Sequence, residues 1–295
     1  MAPRVDVEVE GRALSLSNLD KVLYPAAGFT KGQVIDYYTR VAPVLLGHLR
    51  GRPLTLKRYP NGVDGKFFYE KQCPSHAPDW VRTEAIELGT RTIDFCICDD
   101  LSTLVWLANL ADLELHPSLS LAMEIERPTV LAFDLDPGEP AAIPECCEVA
   151  RILRDALAQL GLRSFPKLSG SKGIQVYAPL NVEGVSYDDT KPLANALARH
   201  LENEHPDLIV SSQKKELRRG KVLIDWSQND EHKTTICVYS LRARERPTVS
   251  TPVAWEELDD PGALSFETDA VLKRIEQHGD LFAPVLELKQ ELPAF

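Results

Sequence analysis

Thr129-Val-Leu-Ala-Phe-Asp-Leu-Asp-Pro-Gly138 carries the strongest structural signal in this chain of 295 residues. It is typical of an apolar strand that ends in two carboxylates before a Pro-Gly turn. Because side chains alternate along a strand, Asp134 and Asp136 point to one face, whereas Phe133 and Leu135 point to the other. Two acids on one face predict a site for a hard divalent cation, Mg²⁺ or Mn²⁺, which prefers oxygen ligands. The alternative is a pair of exposed acids that only ends a strand.

Two further segments strengthen the metal hypothesis. Lys221-Val-Leu-Ile-Asp-Trp226 is a second apolar strand, and an isolated Asp225 within it would be costly to bury. A third acid beside the first pair would complete a site for two cations, as in phosphoryl transfer. Between the strands, Ser169-Gly-Ser-Lys-Gly173 is a small turn whose backbone N–H groups and lysine suit a phosphate. It is not a Walker loop, because a strand follows it instead of a helix.

The rest of the chain alternates between two kinds of apolar pattern. Helical spacing of apolar residues occurs over 30–51, 100–114, 144–160, 188–204 and 268–278. Short β-rich runs occur at 129–135, 173–178, 221–226 and 234–239. This alternation predicts an α/β or α+β fold. Because charged residues and Pro128 interrupt the pattern near residue 125, we expect an N-terminal region, 1–125, and a C-terminal catalytic region, 126–295, packed as one body.

Composition limits the partners of the chain. Its apolar runs are far shorter than the roughly 18 residues of a membrane span, and it starts with no targeting signal, so we expect a cytoplasmic protein without a membrane partner. The net charge of −11 alone disfavours nucleic acid. However, Gln213–Lys221 contains five basic residues and one acid, which is a local footprint for DNA or else a solvated charge run.

The six cysteines include no Cys-x-x-Cys pair and no histidine at zinc-finger offsets. We therefore expect reduced, structural thiols. Cys96 and Cys98 flank Ile97 in a strand-like stretch, which puts them on one side of it, but a metal role for this pair is the weaker interpretation.

Several ordered motifs resemble one known family. They are Asp20-Lys-Val-Leu-Tyr-Pro25, Arg58-Tyr-Pro-Asn-Gly-Val-Asp64, Phe133-Asp-Leu-Asp-Pro-Gly138, Ser169-Gly-Ser-Lys-Gly173, Ile224-Asp-Trp-Ser-Gln-Asn229, Lys233-Thr-Thr235, Tyr239-Ser-Leu-Arg242 and 251–261. Together they resemble the polymerase domain of bacterial DNA ligase D, in the archaeo-eukaryotic primase superfamily, over nearly the whole chain. The resemblance implies a primase-polymerase fold, with an N-terminal α/β region and an RRM-like antiparallel catalytic sheet.

The resemblance assigns the nucleotide site residue by residue. It implies that Asp134, Asp136 and Asp225 hold two catalytic cations, Mn²⁺ or Mg²⁺. It also implies contacts to the nucleoside triphosphate substrate from a set of polar residues: Ser169, Ser171, Lys172, Gln175, Lys233 and Arg242, with His116 near the nucleotide. A satisfied structural histidine is the alternative for His116.

DNA contacts follow from the same resemblance. Lys21 and Lys31 match the pair that grips a 5′-phosphate at the far side of a gap, and Arg218 matches a DNA-contacting segment. Phe68 and Tyr69 match the position that stacks on a template base, where stacking is worth roughly 1–3 kcal/mol per base. Core packing is the alternative for these two aromatic side chains.

Gln175 departs from the family, which shows histidine after Ser-Gly-Ser-Lys-Gly-x. A histidine can carry charge toward a phosphate, whereas a glutamine amide donates only as a neutral group. We therefore expect weaker triphosphate binding than in a typical member. A paralogue that has kept DNA binding and lost efficient synthesis is also compatible with the change.

The resemblance implies template-directed nucleotide addition that fills short gaps at DNA breaks, with a preference for ribonucleotides, during end joining or related repair. Expected partners are DNA with a gap, an overhang or a 5′-phosphate, the end-binding protein Ku and a separate DNA ligase. We expect a bacterial, cytoplasmic location on the nucleoid at breaks. A non-catalytic DNA-end-binding module and a primer-independent primase are the alternative functions. Because the chain has no Lys-x-Asp-Gly ligase motif, we expect either a stand-alone polymerase or an excised domain, and the start at Met1 with the end at Phe295 favours the stand-alone form.

Overall fold

The computed structural model describes residues 4–293, which contain both strands and helices. The strands are β1 (Arg4–Val9), β2 (Arg12–Ser17), β3 (Val22–Tyr24), β4 (Phe29–Thr30), β5 (Pro53–Arg58), β6 (Phe68–Glu70), β7 (Thr83–Leu88), β8 (Arg91–Ile97), β9 (Asp112–Pro117), β10 (Val130–Pro137), β11 (Phe165–Leu168), β12 (Ile174–Pro179), β13 (Ile209–Val210) and β14 (Val222–Asp225). The helices are α1 (Lys31–Leu49), α2 (Leu101–Asn109), α3 (Ile143–Gln159), α4 (Tyr187–Glu204), α5 (Thr268–His278) and α6 (Pro284–Glu287). Within this described part, no helix is long and apolar enough to cross a membrane.

The chain divides into two compact units, each assembled from separate stretches. The N-terminal unit contains the stretch that ends at Ser118, together with 236–250 and 266–279. The C-terminal unit contains 119–235, 251–265 and the stretch from Asp280 onward. The expected division near residue 125 lies close to the first crossing, whereas no shift in composition marks the two later returns. The packing of regions 1–125 and 126–295 as one body stays a prediction.

The N-terminal unit is built around α1 and a sheet with the order β6-β5-β8-β7, in which β9 also pairs with β5. Helix α1 begins with a capping box, because the Thr30 hydroxyl accepts from the Gln33 backbone N–H and the Gln33 side chain accepts from the Thr30 N–H. Its buried face carries Tyr37 and Tyr38, whose hydroxyls donate to backbone carbonyls 2.8 and 2.7 Å away. These bonds satisfy the polar ends of two large buried side chains.

The C-terminal unit contains the sheet β11-β12-β10-β14-β13, in which all pairs are antiparallel except the parallel β13–β14 pair. Helices α3 and α4 pack against this sheet. Phe133 and Leu135 are 1% and 0% exposed, so one face of β10 faces the core. The opposite face is therefore the one that presents Asp134 and Asp136.

Most predicted elements are confirmed. Helices α1, α3, α4 and α5 occupy the stretches 30–51, 144–160, 188–204 and 268–278, and strands β10, β12 and β14 occupy 129–135, 173–178 and 221–226. Gly161, which follows α3, takes φ 78°, a left-handed conformation in which glycine ends a helix at low cost.

The predicted helix over 100–114 is too long. Helix α2 ends at Asn109, and Ala111 takes a positive φ of 58° that reverses the chain into β9. Strand β9 pairs with β5, and its alternation of buried Leu113 and Leu115 with polar neighbours has a period of two. That alternation was a readable strand signal, which the broad apolar face before it obscured.

The predicted strand over 234–239 is wrong. This segment belongs to no strand; the Cys237 N–H donates to the Leu115 carbonyl and the Tyr239 N–H donates to the Ser250 carbonyl. Tyr239 takes φ 65°, which is incompatible with a continuing strand. The apolar run that suggested a strand is buried: Ile236, Cys237 and Val238 are each under 5% exposed.

The expectation of reduced cysteines is wrong for one pair. Cys73 and Cys96 form a disulfide with their Cα atoms 5.0 Å apart. The Cys73 N–H donates to the carbonyl of Asp94, two residues before Cys96, so backbone pairing brings the two sulfur atoms together. The two cysteines are 23 residues apart and belong to no short sequence motif, so the sequence alone did not reveal the pair. Cys98, Cys146, Cys147 and Cys237 are buried and form no disulfide, as expected.

Candidate functional site

The central feature of the C-terminal unit is a row of polar side chains across four strands. Strand register pairs Lys167 with Gln175, Gln175 with Asp134, and Asp134 with Asp225. Directly opposite residues project from the same face of a sheet, with Cβ atoms about 4.5–5.5 Å apart. Asp136, two residues beyond Asp134, joins this face at its exposed end. The structure thus brings together the three carboxylates that the sequence singled out.

Asp134 is the electrostatic centre of the row. Burial raises its pKa to about 7, and the neighbouring charges of Asp136 and Asp225 raise it in the same direction. The buried ammonium of Lys167 and a hydrogen bond from Gln175 act in the opposite sense. The three carboxylates have more negative charge than Lys167 can neutralise, and such an excess favours binding of a divalent cation.

Asp225 is turned toward its own chain. Its carboxylate accepts from the Ser227 N–H at 2.9 Å, the Ser227 hydroxyl at 2.7 Å and the Gln228 amide at 3.0 Å. No group of three or more His, Cys, Asp or Glu residues between 4 and 293 is already arranged around a metal position. The donor set is nonetheless all oxygen and all anionic, which fits Mg²⁺ or Mn²⁺.

The turn after β11 lies against the carboxylate strand. The Ser169 hydroxyl accepts from the N–H groups of Ser171 and Gly173, each at 3.2 Å. A Cβ atom on Gly173 would lie 2.0 Å from the carbonyl oxygen of Leu135, so only glycine permits this close approach. Leu135 separates Asp134 from Asp136, and the turn is therefore held next to both acids.

Two lysines predicted to bind the triphosphate are exposed. Lys172, in the turn, forms an ion pair with Glu139 at 2.9 Å, and both side chains are largely exposed. Lys233 follows the short turn after β14, where its N–H donates to the carbonyl of Asp230. Exposed ion pairs are weak, so Lys172 can exchange its partner for a ligand phosphate at small cost.

The basic segment 213–221 is anchored beside the end of β10. A Cβ atom on Gly138 would lie 1.9 Å from the carbonyl of Arg218, and the Gly220 N–H donates to the Gly138 carbonyl at 2.8 Å. The Arg218 guanidinium donates to the backbone and side-chain oxygens of Gln213. Hence the basic segment is fixed two residues from Asp136 rather than being a free solvated run.

The N-terminal unit contains a separate cluster around one buried carboxylate. Glu114 is 1% exposed and accepts from Lys57 at 2.9 Å, from His116 at 3.1 Å and from the Ala243 N–H at 2.9 Å. Arg242 pairs with the same carboxylate at 3.3 Å. Two residues predicted to contact the nucleotide, His116 and Arg242, therefore share one counter-ion.

The charge states in this cluster follow from its burial. Burial alone would raise the pKa of Glu114, but the His116 hydrogen bond and the Arg242 charge outweigh it and hold that pKa well below its usual range. Burial lowers the pKa of His116 despite its bond to Glu114, so the imidazole is neutral at pH 7. Lys57 and Glu114 were missed in the sequence, because their pairing depends on the register between β5 and β9, which no local pattern encodes.

Aromatic side chains cover the outside of β6. Phe67, Phe68 and Tyr69 are 50%, 41% and 58% exposed, so core packing does not account for Phe68 and Tyr69. The Lys57 ammonium lies 4.8 Å from the Phe67 ring centroid and 5.4 Å from that of Tyr69, while Arg58 lies 5.1 Å from Phe68. Exposed rings flanked by cations are the composition of a surface for nucleic-acid bases.

Lys21 and Lys31 are adjacent in the β3–β4 region. The Lys31 N–H donates to the Lys21 carbonyl at 2.8 Å, and the Lys31 ammonium, which is buried, donates to the Ser17 carbonyl at 2.7 Å. Lys21 donates to the Pro60 carbonyl at 2.5 Å. Burial and the nearby charge of Lys21 lower the pKa of Lys31 to about 8. Two cations without a carboxylate in these contacts suit a dianionic phosphate.

Comparisons with known proteins identify relatives that match most of the chain. The family model for the LigD primase-polymerase domain matches residues 30–282. The multifunctional non-homologous end joining DNA repair protein LigD of Mycobacterium tuberculosis is 47% identical over 276 residues, which are 91% of this chain and 36% of that protein. The bifunctional non-homologous end joining protein LigD of Bacillus subtilis is 33% identical over 281 residues, which are 95% of this chain and 45% of that protein. The chain thus spans between a third and a half of the length of these curated relatives.

A solved structure matches the fold as well. The polymerase domain of Mycobacterium tuberculosis ligase D, solved in complex with DNA, superposes with a TM-score of 0.87 and 44% identity, covering 94% of this chain and 99% of that one. The predicted α/β (α+β) primase-polymerase fold is therefore confirmed. The chain belongs to the family of LigD primase-polymerase domains.

Proposed function

We propose that the chain is a template-directed nucleotidyltransferase that adds nucleotides to a primer 3′-hydroxyl in short gaps at DNA breaks. The observation that carries this proposal is the pairing of Asp134 with Asp225 beside the Ser169–Gly173 turn, which sets three carboxylates next to a phosphate-binding turn. Membership of the LigD primase-polymerase family supports the same reaction class.

Asp134, Asp136 and Asp225 would hold two divalent cations, Mn²⁺ or Mg²⁺. When bound, the cations would supply acidity to the primer hydroxyl and neutralise charge on the departing pyrophosphate. Asp225 accepts hydrogen bonds from Ser227 and Gln228, and its carboxylate keeps lone-pair capacity for a cation. The raised pKa of Asp134 means that at neutral pH cation binding also releases part of a proton.

The nucleoside triphosphate contacts would come from side chains and backbone together. Ser169 shapes the turn, leaving the hydroxyl of Ser171 and the ammonium of Lys172 exposed for phosphate oxygens. Lys233 would add a second exposed cation. The family resemblance also implies nucleotide contacts from Arg242 and His116, and within the N-terminal unit both side chains contact Glu114.

DNA would be held through its phosphates and one unpaired base. Lys21 and Lys31 would grip a 5′-phosphate at the far side of a gap, and Arg218 would contact the DNA backbone. Phe68 and Tyr69 would stack on a template base, for which their exposure is a requirement. Such local cations are needed because the net charge of the chain is −11.

The biological setting belongs to the same proposal. The relatives are non-homologous end joining proteins, and one of them is a DNA repair protein. We therefore propose a role in end joining, with a preference for ribonucleotides, with Ku and a separate DNA ligase as partners, and with recruitment to the nucleoid at breaks. A non-catalytic DNA-end-binding module would keep Lys21 and Lys31 but has no use for three crowded carboxylates.

Extension across a short gap tests this function. The substrate is a primer-template with a downstream strand bearing a 5′-phosphate, supplied with Mn²⁺ and one labelled ribo- or deoxyribonucleotide at a time. We expect addition of the nucleotide complementary to the template, faster with ribonucleotides and slower without the 5′-phosphate. Tight, phosphate-dependent binding without any extension would instead support the end-binding module, and extension without a primer would support a primase.

A further inference from the structure

We propose that Gln175 is a positioning residue for the Asp134 carboxylate and does not contact the triphosphate. The proposal rests on the proposed function, because it concerns how the carboxylate row receives a divalent cation. It replaces the expectation, drawn from the family resemblance, that residue 175 serves the phosphates.

Strand register places Gln175 between two charged neighbours. On one side it is directly opposite Asp134 in β10, and on the other it is directly opposite Lys167 in β11. All three side chains therefore share one face of the sheet. The side chains of this row lie side by side on that face. Ser171 and Lys172, in contrast, lie in the exposed turn between β11 and β12.

Neither polar atom of Gln175 is available to a phosphate. The whole residue is 4% exposed. Its side chain lies beside the Asp134 carboxylate, whose pKa it lowers, and its Oε1 is buried without a hydrogen-bond partner among residues 4–293. A carbonyl oxygen would in any case repel a phosphate, since it can only accept. The buried side chain is therefore placed opposite a metal-ligand candidate and not in the exposed turn.

A hydrogen bond donated by the Gln175 amide would fix the orientation of the Asp134 carboxylate opposite it. A hydrogen bond to an ionised carboxylate stabilises the ionised form and restricts rotation about the side-chain torsion. Asp134 needs this support because it lies beside Asp136 and Asp225, both of like charge. A neutral donor supplies it without adding a second positive charge to that of Lys167, which would repel an incoming cation.

The test is a titration of the full chain with Mn²⁺ in the absence of nucleotide and DNA. The electron paramagnetic resonance signal of free Mn²⁺ measures the binding. Gln175→Met keeps the length of the side chain and removes the donor. We expect the dissociation constant to rise about tenfold or more, because hydrogen bonds to charged groups contribute that much. Gln175→Asn, one methylene shorter, should lose affinity similarly while keeping a polar side chain, and unfolding in EDTA verifies that both variants fold.

Ser171→Ala is the matched contrast, since it lies in the adjacent turn and should raise the KM for nucleotide without changing Mn²⁺ binding. At saturating Mn²⁺, Gln175→Met should regain the wild-type nucleotide KM. A raised nucleotide KM that persists at saturating Mn²⁺, with Mn²⁺ affinity unchanged, overturns the proposal. If Asp134→Asn also leaves Mn²⁺ binding unchanged, the metal site of the proposed function fails as well, whereas loss in Asp134→Asn alone refutes only the role of Gln175.

Discussion

Asp134→Asn should stabilise the metal-free protein at pH 8 while abolishing nucleotide addition. The pKa of Asp134 is raised from 3.8 to about 7 by burial and by Asp136 and Asp225. Because one pKa unit corresponds to about 1.4 kcal/mol, the ionised carboxylate costs the folded state up to about 4 kcal/mol relative to the unfolded chain. Asparagine removes the charge but also loses the attraction of Lys167, so we expect a net gain of about 1–3 kcal/mol.

The stability of the wild-type protein should depend on pH through the titration of Asp134. Between pH 4 and pH 7 the folded state retains the Asp134 proton and the unfolded state has released it, so wild-type stability falls as pH rises through this window. Above pH 7 both states are ionised and the loss is complete. Below pH 4 both states are protonated and the cost is absent. The variant, which cannot titrate at this position, should lack this slope.

Urea unfolding in EDTA at pH 5 and pH 8 measures the difference. Asp207→Asn is the control, because this aspartate is exposed in the same unit. The stability of Asp134→Asn relative to wild type should increase from pH 5 to pH 8, and that of the control should not change. Added Mn²⁺ should stabilise wild type only. An Asp134→Asn variant that is destabilised equally at both pH values would refute the reasoning.

Three further predictions concern other charged groups of the chain. Glu114→Gln should destabilise the protein by about 3 kcal/mol in urea unfolding, because it leaves the buried charge of Lys57 without its carboxylate; an unchanged midpoint contradicts the cluster. Affinity for gapped DNA with a 5′-phosphate should fall from pH 7 to pH 9 as Lys31, with its pKa near 8, loses its proton, and Lys31→Arg should flatten this profile in anisotropy titrations. Glu139→Gln should lower the nucleotide KM about twofold by freeing Lys172, as expected for an exposed ion pair; a raised KM in steady-state extension assays contradicts this.

The sequence predicted the common face of Asp134 and Asp136, because the signal for it is local. Alternation within one strand determines that Asp134 and Asp136 share a face. Asp225 stands out because an isolated carboxylate in a second apolar strand would be costly to bury. The pairing of Asp134 with Asp225 and with Gln175 is a matter of register between distant strands. No local pattern encodes that register, so the role of residue 175 became visible only in the folded chain.

The remaining errors have the same origin. The end of α2 at Asn109 and the disulfide of Cys73 with Cys96 depend on long-range pairing, of β9 with β5 in one case and of Cys73 with the Asp94 carbonyl in the other. Apolar residues in an unpaired, buried segment such as 234–239 cannot be distinguished from a strand by hydrophobicity alone.

The most direct test of the central claim is single-nucleotide incorporation into phosphorylated gapped DNA with Mn²⁺ by wild type and by an Asp134→Asn, Asp225→Asn double variant, with DNA affinity measured in parallel. We predict incorporation by wild type, loss of at least about a thousandfold in the variant, as for removal of catalytic groups, and retained DNA binding by both. Equal incorporation by both proteins, or none by wild type despite tight DNA binding, would contradict the claim that these carboxylates carry out nucleotidyl transfer.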